Sequence, residues 1–136
     1  MEYSIREVAK IIGSKSNLLR EDTITMLLTD SRTVSFPEQS LFFALRTKTN
    51  DGHKYIPELY KLRVRNFVVS EIPPSTDMYA DANFLLVKDP LRALQQLAAH
   101  HRKKFEIPVI GITGSNGKTI VKEFLYQLLH TEFNIV

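Results

Sequence analysis

The 136-residue sequence contains no cysteine. Disulfides, thiol nucleophiles and zinc sites built on thiolates are therefore excluded. The four histidines lack the spacing of a metal cluster, although an oxygen-ligated magnesium ion needs none of them. No apolar run approaches membrane-spanning length. The opening Met1-Glu2-Tyr3-Ser4-Ile5-Arg6-Glu7 lacks the apolar core of a signal peptide. The expectation is a cytoplasmic protein with no membrane partner. A strong charge of one sign is also missing, since 18 Lys and Arg stand against 15 Asp and Glu for a net charge of +3. That excess is scattered, and the short basic cluster at 100–104 falls at an expected helix end, where cations are favoured anyway. Nucleic acid is not expected as a partner. No internal repeat or low-complexity tract is present.

Hydrophobic residues make up 43% of the chain and charged residues 24%, enough apolar material for a core in an ordinary globular protein. Ser4 and Glu7 have the spacing of a capping box, and Ile5, Val8, Ala9 and Ile12 follow at helical intervals up to a stop at Gly13. Strands are predicted over 23–29, 41–45, 67–69 and 84–87, and helices over 55–62 and from Asp89-Pro90 onward. In the latter helix Leu91, Leu94, Leu97, Ala98 and His101 continue one helical face. A buried strand over 107–112 should lead into a helix from Lys118 to Leu129, buried through Val121, Phe124, Leu125 and Leu128. A further strand is expected to begin over 133–136. Alternating strands and helices favour an α/β fold. The organisation expected is a small mixed-sheet N-terminal domain over 1–104. Residues 105–136 would then begin a second α/β domain, with one strand, a phosphate loop and a helix, left unfinished. The chain is accordingly expected to be a fragment of a longer protein.

The strongest chemical signal is Val109-Ile110-Gly111-Ile112-Thr113-Gly114-Ser115-Asn116-Gly117-Lys118-Thr119. A strand that meets a glycine-rich turn and then a helix brings backbone N–H groups and a positive helix end to one place, suited to phosphate. Gly114, Ser115, Asn116, Gly117, Lys118 and Thr119 are the expected ATP-binding residues. Lys118 would reach the β- and γ-phosphates as the catalytic cation, and Thr119 would place its hydroxyl on Mg2+. The strict P-loop pattern asks for glycine where Ile112 stands. A strand–helix turn that binds nothing is the plainer alternative.

Gly114 to Thr119, preceded by Thr113, resembles the ATP loop of the Mur ligases, a family that relaxes this first glycine. Three further stretches resemble motifs of the family's N-terminal domain: Thr29-Asp30-Ser31-Arg32, Leu41-Phe42-Phe43-Ala44-Leu45 and Asn50-Asp51-Gly52-His53-Lys54-Tyr55-Ile56. The resemblance covers nearly all of the chain from Ile5 onward. Within the family it is strongest to members that add D-alanyl-D-alanine to UDP-N-acetylmuramoyl tripeptide. The segments 47–53 and 64–69 further resemble a version fused to a C-terminal alanine racemase.

The resemblance implies ATP and Mg2+ as cofactors and that tripeptide and dipeptide as substrates. It implies phosphorylation of the tripeptide carboxylate, then attack by the dipeptide amine. The remaining central and C-terminal ligase domains would be needed, so this chain alone should not ligate. The resemblance also implies that Ser31, Arg32, Thr47, Thr49 and Asn50 face the UDP end of the precursor. Ser31 would donate to a uracil or phosphate oxygen, and Arg32 would pair with charge as a rigid fork. The structural alternative is an Asp30–Arg32 ion pair fixing the strand end, with Ser31 capping a turn. Asp51-Gly52-His53 is expected to turn the chain into a helix, Asp51 capping, Gly52 taking positive φ and His53 bonding the loop. No nucleophile at useful spacing supports His53 as a general base. Another amino-acid ligase of the family and a non-catalytic nucleotide-binding module remain as alternatives.

Overall fold

The computed structural model describes residues 2–135, which fall into two compact units meeting in sequence at Phe105 and Glu106. In the first unit, β1 (Tyr3–Ser4) leads directly into α1 (Ile5–Ile11). The capping box predicted there is complete: the Glu7 N–H donates to Ser4 Oγ at 3.2 Å and the Ser4 N–H donates to Glu7 Oε2 at 2.8 Å. The helix stops where Gly13 takes φ +69°, and the next N–H, from Ser14, returns to the Ala9 carbonyl. Ile5, Val8, Ala9 and Ile12 are buried.

One strand was expected over 23–29, and two form. β2 (Thr23–Ile24) pairs antiparallel with β1, and β3 (Met26–Leu28) joins a different sheet. Between them the Thr25 N–H turns to the Gln39 carbonyl, so the chain crosses from one sheet to the other there. The main sheet runs β3, β4 (Ser40–Phe43), β5 (Asn66–Val69) and β6 (Asn83–Leu86) in spatial order, every pair parallel. α2 (Ile56–Lys61) lies between β4 and β5 in the chain, and α3 (Pro90–Arg102) follows β6. The expected α/β class is the observed one, with parallel and antiparallel pairing divided between two sheets.

Parallel sheets in α/β folds are covered on both faces, and the strands show it. Leu41, Phe43, Val68 and Leu85 pack with α1 and α3, whereas Phe42, Phe67, Val69 and Phe84 pack with Ile56 and Leu59 of α2. Alternation along the strands sorts consecutive aromatic and aliphatic residues to opposite faces. Phe42, Phe43, Phe67 and Phe84 are thus core, as their positions on the strands suggested. In α3 only part of the face read from the sequence turns inward. Pro90, Ala93 and Leu97 are buried and Leu94 half-buried, while Leu91 and Ala98 are exposed. The Asp89 cap, which accepts the N–H groups of Leu91 and Arg92, fixes the helix start and turns a stripe of smaller residues inward.

Two buried asparagines hold the amino ends of β5 and β6. Asn83 accepts the Leu19 and Arg20 N–H groups at 2.7 and 3.2 Å and donates to Asn66 Oδ1 at 2.8 Å, and Asn66 donates to Asp22 at 3.0 Å. Buried amides are costly unless bonded, and this pair satisfies itself while pinning the 18–22 loop.

The second unit corrects three expectations. Residues 107–112 form no strand, and Val109 and Ile110 are exposed. α4 (Lys118–Leu129) forms as predicted, but Val121, Phe124 and Leu128 are exposed, while Leu125 and Leu129 are half-buried. No strand forms over 133–135, and Val136 lies outside the described residues. The physical reason is common to all three. An extended apolar segment becomes a strand only beside another strand, and an apolar helix face is buried only beneath a partner, and the described residues of this unit supply neither. Among the described residues no helix is long and apolar enough to cross a membrane.

Candidate functional site

In open parallel sheets, ligand sites gather outside the carboxyl ends of the strands. The predicted motifs arrive there in the chain segments that follow β3 and β4. After β3, Asp30 accepts the Arg32 N–H at 2.9 Å and starts a 3-10 turn over Ser31–Thr33. The Arg32 guanidinium closes on the same carboxylate, Nη2 lying 2.5 Å from Oδ2, with its side chain 86% exposed. Arg32 holds the Asp30 carboxyl down at about 2, first through its side-chain hydrogen bonds and then through its backbone N–H. The cap is Asp30 and not Ser31, whose half-buried side chain carries no such bond.

After β4 the chain makes a turn from Thr47 to Asn50. The Thr47 N–H donates to the Asn50 carbonyl at 2.8 Å, and the Asn50 N–H donates to Thr47 Oγ1 at 3.0 Å. Asn50 Oδ1 accepts the Tyr55 hydroxyl at 3.2 Å, and Thr49 is exposed on the turn. Two of the three predicted precursor-binding residues in this loop therefore also shape it.

Asp51 caps the following 3-10 turn Gly52–Tyr55 by accepting the His53 N–H at 3.0 Å. Gly52 does not take positive φ, which corrects the expected reason for it. A Cβ there would stand 2.8 Å from the Leu45 nitrogen and 2.9 Å from Ala44 backbone atoms, so close backbone packing demands the glycine.

His53 is a joint between two strand ends. Its Nε2 accepts the backbone N–H of Ser70, just past β5, at 3.1 Å, which leaves Nδ1 to donate to Asp51 Oδ1 at 2.6 Å. Ser70 Oγ also lies 3.3 Å from Nε2. Sequence spacing could not reveal this partner 17 residues away. With Nε2 occupied by a backbone donor, the arrangement fastens a loop and leaves no lone pair to activate the hydroxyl.

The sequence also gave no role to Arg46 or Glu71. The Arg46 guanidinium donates to Asp51 Oδ2 from Nε at 2.8 Å and to Glu71 Oε1 from Nη2 at 2.7 Å. Its basicity is raised by these bonds to Asp51 and Glu71. Burial pushes the Asp51 carboxyl up, but the His53 backbone and ring and Arg46 together outweigh that and hold it at about 2. A cation three residues past the end of β4 and five before the capping Asp51 was the available signal. Asp51, His53 and Glu71 are close enough to share a metal ion, yet both His53 nitrogens and both carboxylates already have protein partners. A cavity of about 740 Å3 opens elsewhere, against β6, between Lys15, Leu19, Ile72, Asp77, Phe84 and Leu86. It receives none of the predicted site residues.

In the second unit, α4 has Gly117 at its N-cap, at φ +79° and with no side chain to cap, so the first-turn N–H groups are left without that competitor. Gly114 takes φ +148°, and the spaces where Cβ atoms would stand at Gly111 and Gly117 are empty. Lys118 turns back over the loop, Nζ donating to the Gly114 carbonyl at 2.5 Å. Ser115, Asn116 and Thr119 are all exposed. An uncapped helix start, glycines at 114 and 117 that let ligand approach the backbone, and an ammonium over the turn are chemically suited to polyphosphate.

The fold and these strand-end loops define a class. Residues 23–102 match the family model described as "Mur ligase family, catalytic domain", and the chain belongs to the Mur ligase family. It is similar to a UDP-N-acetylmuramoyl-tripeptide--D-alanyl-D-alanine ligase of Synechocystis, 37% identical over 122 residues, covering 90% of this chain and 26% of that protein. It also resembles a UDP-N-acetylmuramoyl-L-alanyl-D-glutamate--2,6-diaminopimelate ligase of Cytophaga hutchinsonii, 32% identical over 107 residues, covering 77% of this chain and 21% of that protein. Among solved structures it is similar to UDP-N-acetylmuramoylalanyl-D-glutamyl-2,6-diaminopimelate--D-alanyl-D-alanyl ligase from Acinetobacter baumannii. There the TM-score is 0.77 and the identity 25%, covering 97% of this chain and 29% of that one. The chain thus spans about a quarter of the length of these relatives.

Proposed function

We propose that this chain is the N-terminal part of an ATP-dependent ligase that adds D-alanyl-D-alanine to UDP-N-acetylmuramoyl tripeptide in peptidoglycan precursor synthesis, in the cytoplasm. The observation that supports ATP-dependent ligation is the Gly114-to-Thr119 loop at the uncapped start of α4, in a chain of the Mur ligase family. The D-alanyl-D-alanine assignment is supported by the similarity to the Synechocystis ligase. The first unit is the precursor-binding domain, residues 1–104, and residues 105–136 begin the central ATP-binding domain. Ser31, Arg32, Thr47, Thr49 and Asn50 face the UDP end of the precursor. Their support is that all five follow strands at one edge of the parallel sheet.

The loop residues divide the work on ATP. Backbone N–H groups of Gly114 to Thr119 hold phosphate oxygens, and Lys118 exchanges the Gly114 carbonyl for a phosphate, screening charge as it develops. Asn116 fixes the loop. The Thr119 hydroxyl is the ligand assigned to Mg2+, whose contribution when bound is to neutralise phosphate charge. Ligation further requires the rest of the central and C-terminal domains, and the fused racemase remains part of the proposal for the parent protein.

A second reading is favoured by the similarity to the diaminopimelate ligase: the same loop and precursor end would serve a different incoming amine. The test is ADP release by the full-length protein with ATP and magnesium. It is supplied either with UDP-N-acetylmuramoyl tripeptide and D-alanyl-D-alanine or with UDP-N-acetylmuramoyl-L-alanyl-D-glutamate and diaminopimelate. Turnover with the first pair alone is expected, and turnover with the second alone would replace this reading. Lys118→Ala should lower turnover roughly 100- to 1,000-fold, the scale set by losing one preorganised donor to developing charge. An unchanged rate would remove the loop from the chemistry.

A further inference from the structure

The strand-end loops contain one cation whose partners come from two separate elements. Arg46 follows β4, and its guanidinium bridges Asp51 in the same loop and Glu71 beyond β5. Arg32, which the sequence singled out, is engaged locally instead: its fork closes on Asp30 two residues back.

The two carboxylates on Arg46 are not equivalent. Asp51 also caps the Gly52–Tyr55 turn and accepts from the His53 ring, so it cannot leave without undoing the loop. Glu71 has no second task. Its side chain is 64% exposed, and its carboxylate makes no other hydrogen bond among the described residues. Charge is also unbalanced, because one guanidinium faces two carboxylates beside a His53 ring whose Nε2 accepts a proton donor. The cluster carries one excess negative charge.

We propose that Arg46 binds a phosphate of the nucleoside-diphosphate end of the precursor, and that Glu71 occupies this grip in the free protein as an internal competing anion. The proposal rests on the precursor-binding reading of these loops given above. A guanidinium donates to carboxylate and phosphate oxygens alike, so a phosphate oxygen replaces Glu71 Oε1 on Nη2 while Nε and Nη2 keep their hold on Asp51 Oδ2. Exposed ion pairs are weak, and a diphosphate brings more charge than one carboxylate. Glu71 therefore gives way, and until it does it repels the ligand. The pair makes binding at this edge depend on an anion able to displace it, which favours the diphosphate over an uncharged nucleoside.

Calorimetric titration of the full chain with UDP and with uridine tests this. Arg46→Gln should weaken UDP binding roughly ten- to a hundredfold, the value of a charge-assisted hydrogen bond, and leave uridine binding unchanged. Glu71→Gln should tighten UDP binding by about two- to fivefold, the scale of an exposed pair, with no effect on uridine. In the double variant Glu71→Gln should add nothing to Arg46→Gln, since Glu71 acts through Arg46. Arg46→Lys keeps the charge without the fork and should fall between wild type and Arg46→Gln, which keeps the test usable if the glutamine variant misfolds. UDP binding that neither Arg46 variant alters would overturn the proposal and leave the precursor-binding reading standing. Loss of UDP binding in Arg46→Gln with no change in Glu71→Gln would overturn the competing role of Glu71. Failure of wild type and Glu71→Gln alike to bind UDP would overturn the precursor-binding reading and this proposal with it.

Discussion

Phe67 and Phe124 are the same side chain on regular elements of the same chain, yet Phe67 is fully buried and Phe124 is 60% exposed. Phe67 stacks on Phe84 with ring centroids 5.4 Å apart and meets Phe42 edge-on, because β5 lies between two parallel neighbours with α2 above them. Phe124 sits on a well-formed helix whose apolar residues Ile120, Val121 and Leu128 are exposed with it. Periodicity states that a segment has an apolar face, and only a partner element turns that face into core. The first unit supplies its own partners, and the described residues of the second do not.

The largest effect expected from this contrast is on stability. Phe67→Ala should cost about 3–5 kcal/mol in chemical denaturation of the first unit, whereas Phe124→Ala should stay within about 0.5 kcal/mol. Equal costs would erase the distinction between the units. Gly52→Ala comes next, at about 1–3 kcal/mol, because its Cβ would meet backbone that cannot swing aside. Gly13→Ala enters open space and should lose only the cost of its left-handed conformation, about 1–2 kcal/mol. Ser4→Ala should cost about 1 kcal/mol by opening the capping box of α1.

The smallest effect is a pH dependence in the strand-end loops. Asp51 falls from an ordinary 3.8 to about 2, so its charged form is favoured by folding. Its contribution is complete above pH 4 and is lost as the pH falls towards 2, since the unfolded chain takes up the proton first. Asp51→Asn keeps an acceptor for the cap but not the charge. The thermal midpoint of wild type should exceed that of Asp51→Asn at pH 6, and the gap should narrow progressively between pH 4 and 2. A gap that widens in acid would reverse the assigned sign.

Local signals were legible wherever they closed within a few residues. The Ser4–Glu7 box, the Asp89 cap with Pro90, the Asp51 cap and the extent of α4 were all readable, because each needs only its own neighbours. The core phenylalanines of β4, β5 and β6 were readable from short apolar runs bounded by turns. Tertiary pairing hid the rest. Nothing near Thr25 announces the change of sheet, which depends on Gln39, and the Asn66–Asn83 amide pair joins two strand starts 17 residues apart. At the strand-end site the motif residues were visible as sequence, but Arg46 acquires its meaning from Glu71, and His53 from Ser70, only when β4 and β5 lie side by side.

The carboxyl edge of the four-stranded sheet is proposed to hold the UDP end of the precursor. Backbone amide chemical shifts of the 15N-labelled chain, followed while UDP-N-acetylmuramoyl tripeptide is added, test it directly. Saturable shifts are expected at Ser31, Arg32, residues 46–53 and residues 70–71, with the β6 cavity around Lys15, Leu19 and Leu86 unmoved. Saturable shifts confined to that cavity, or none at the sheet edge under saturating precursor, would contradict it.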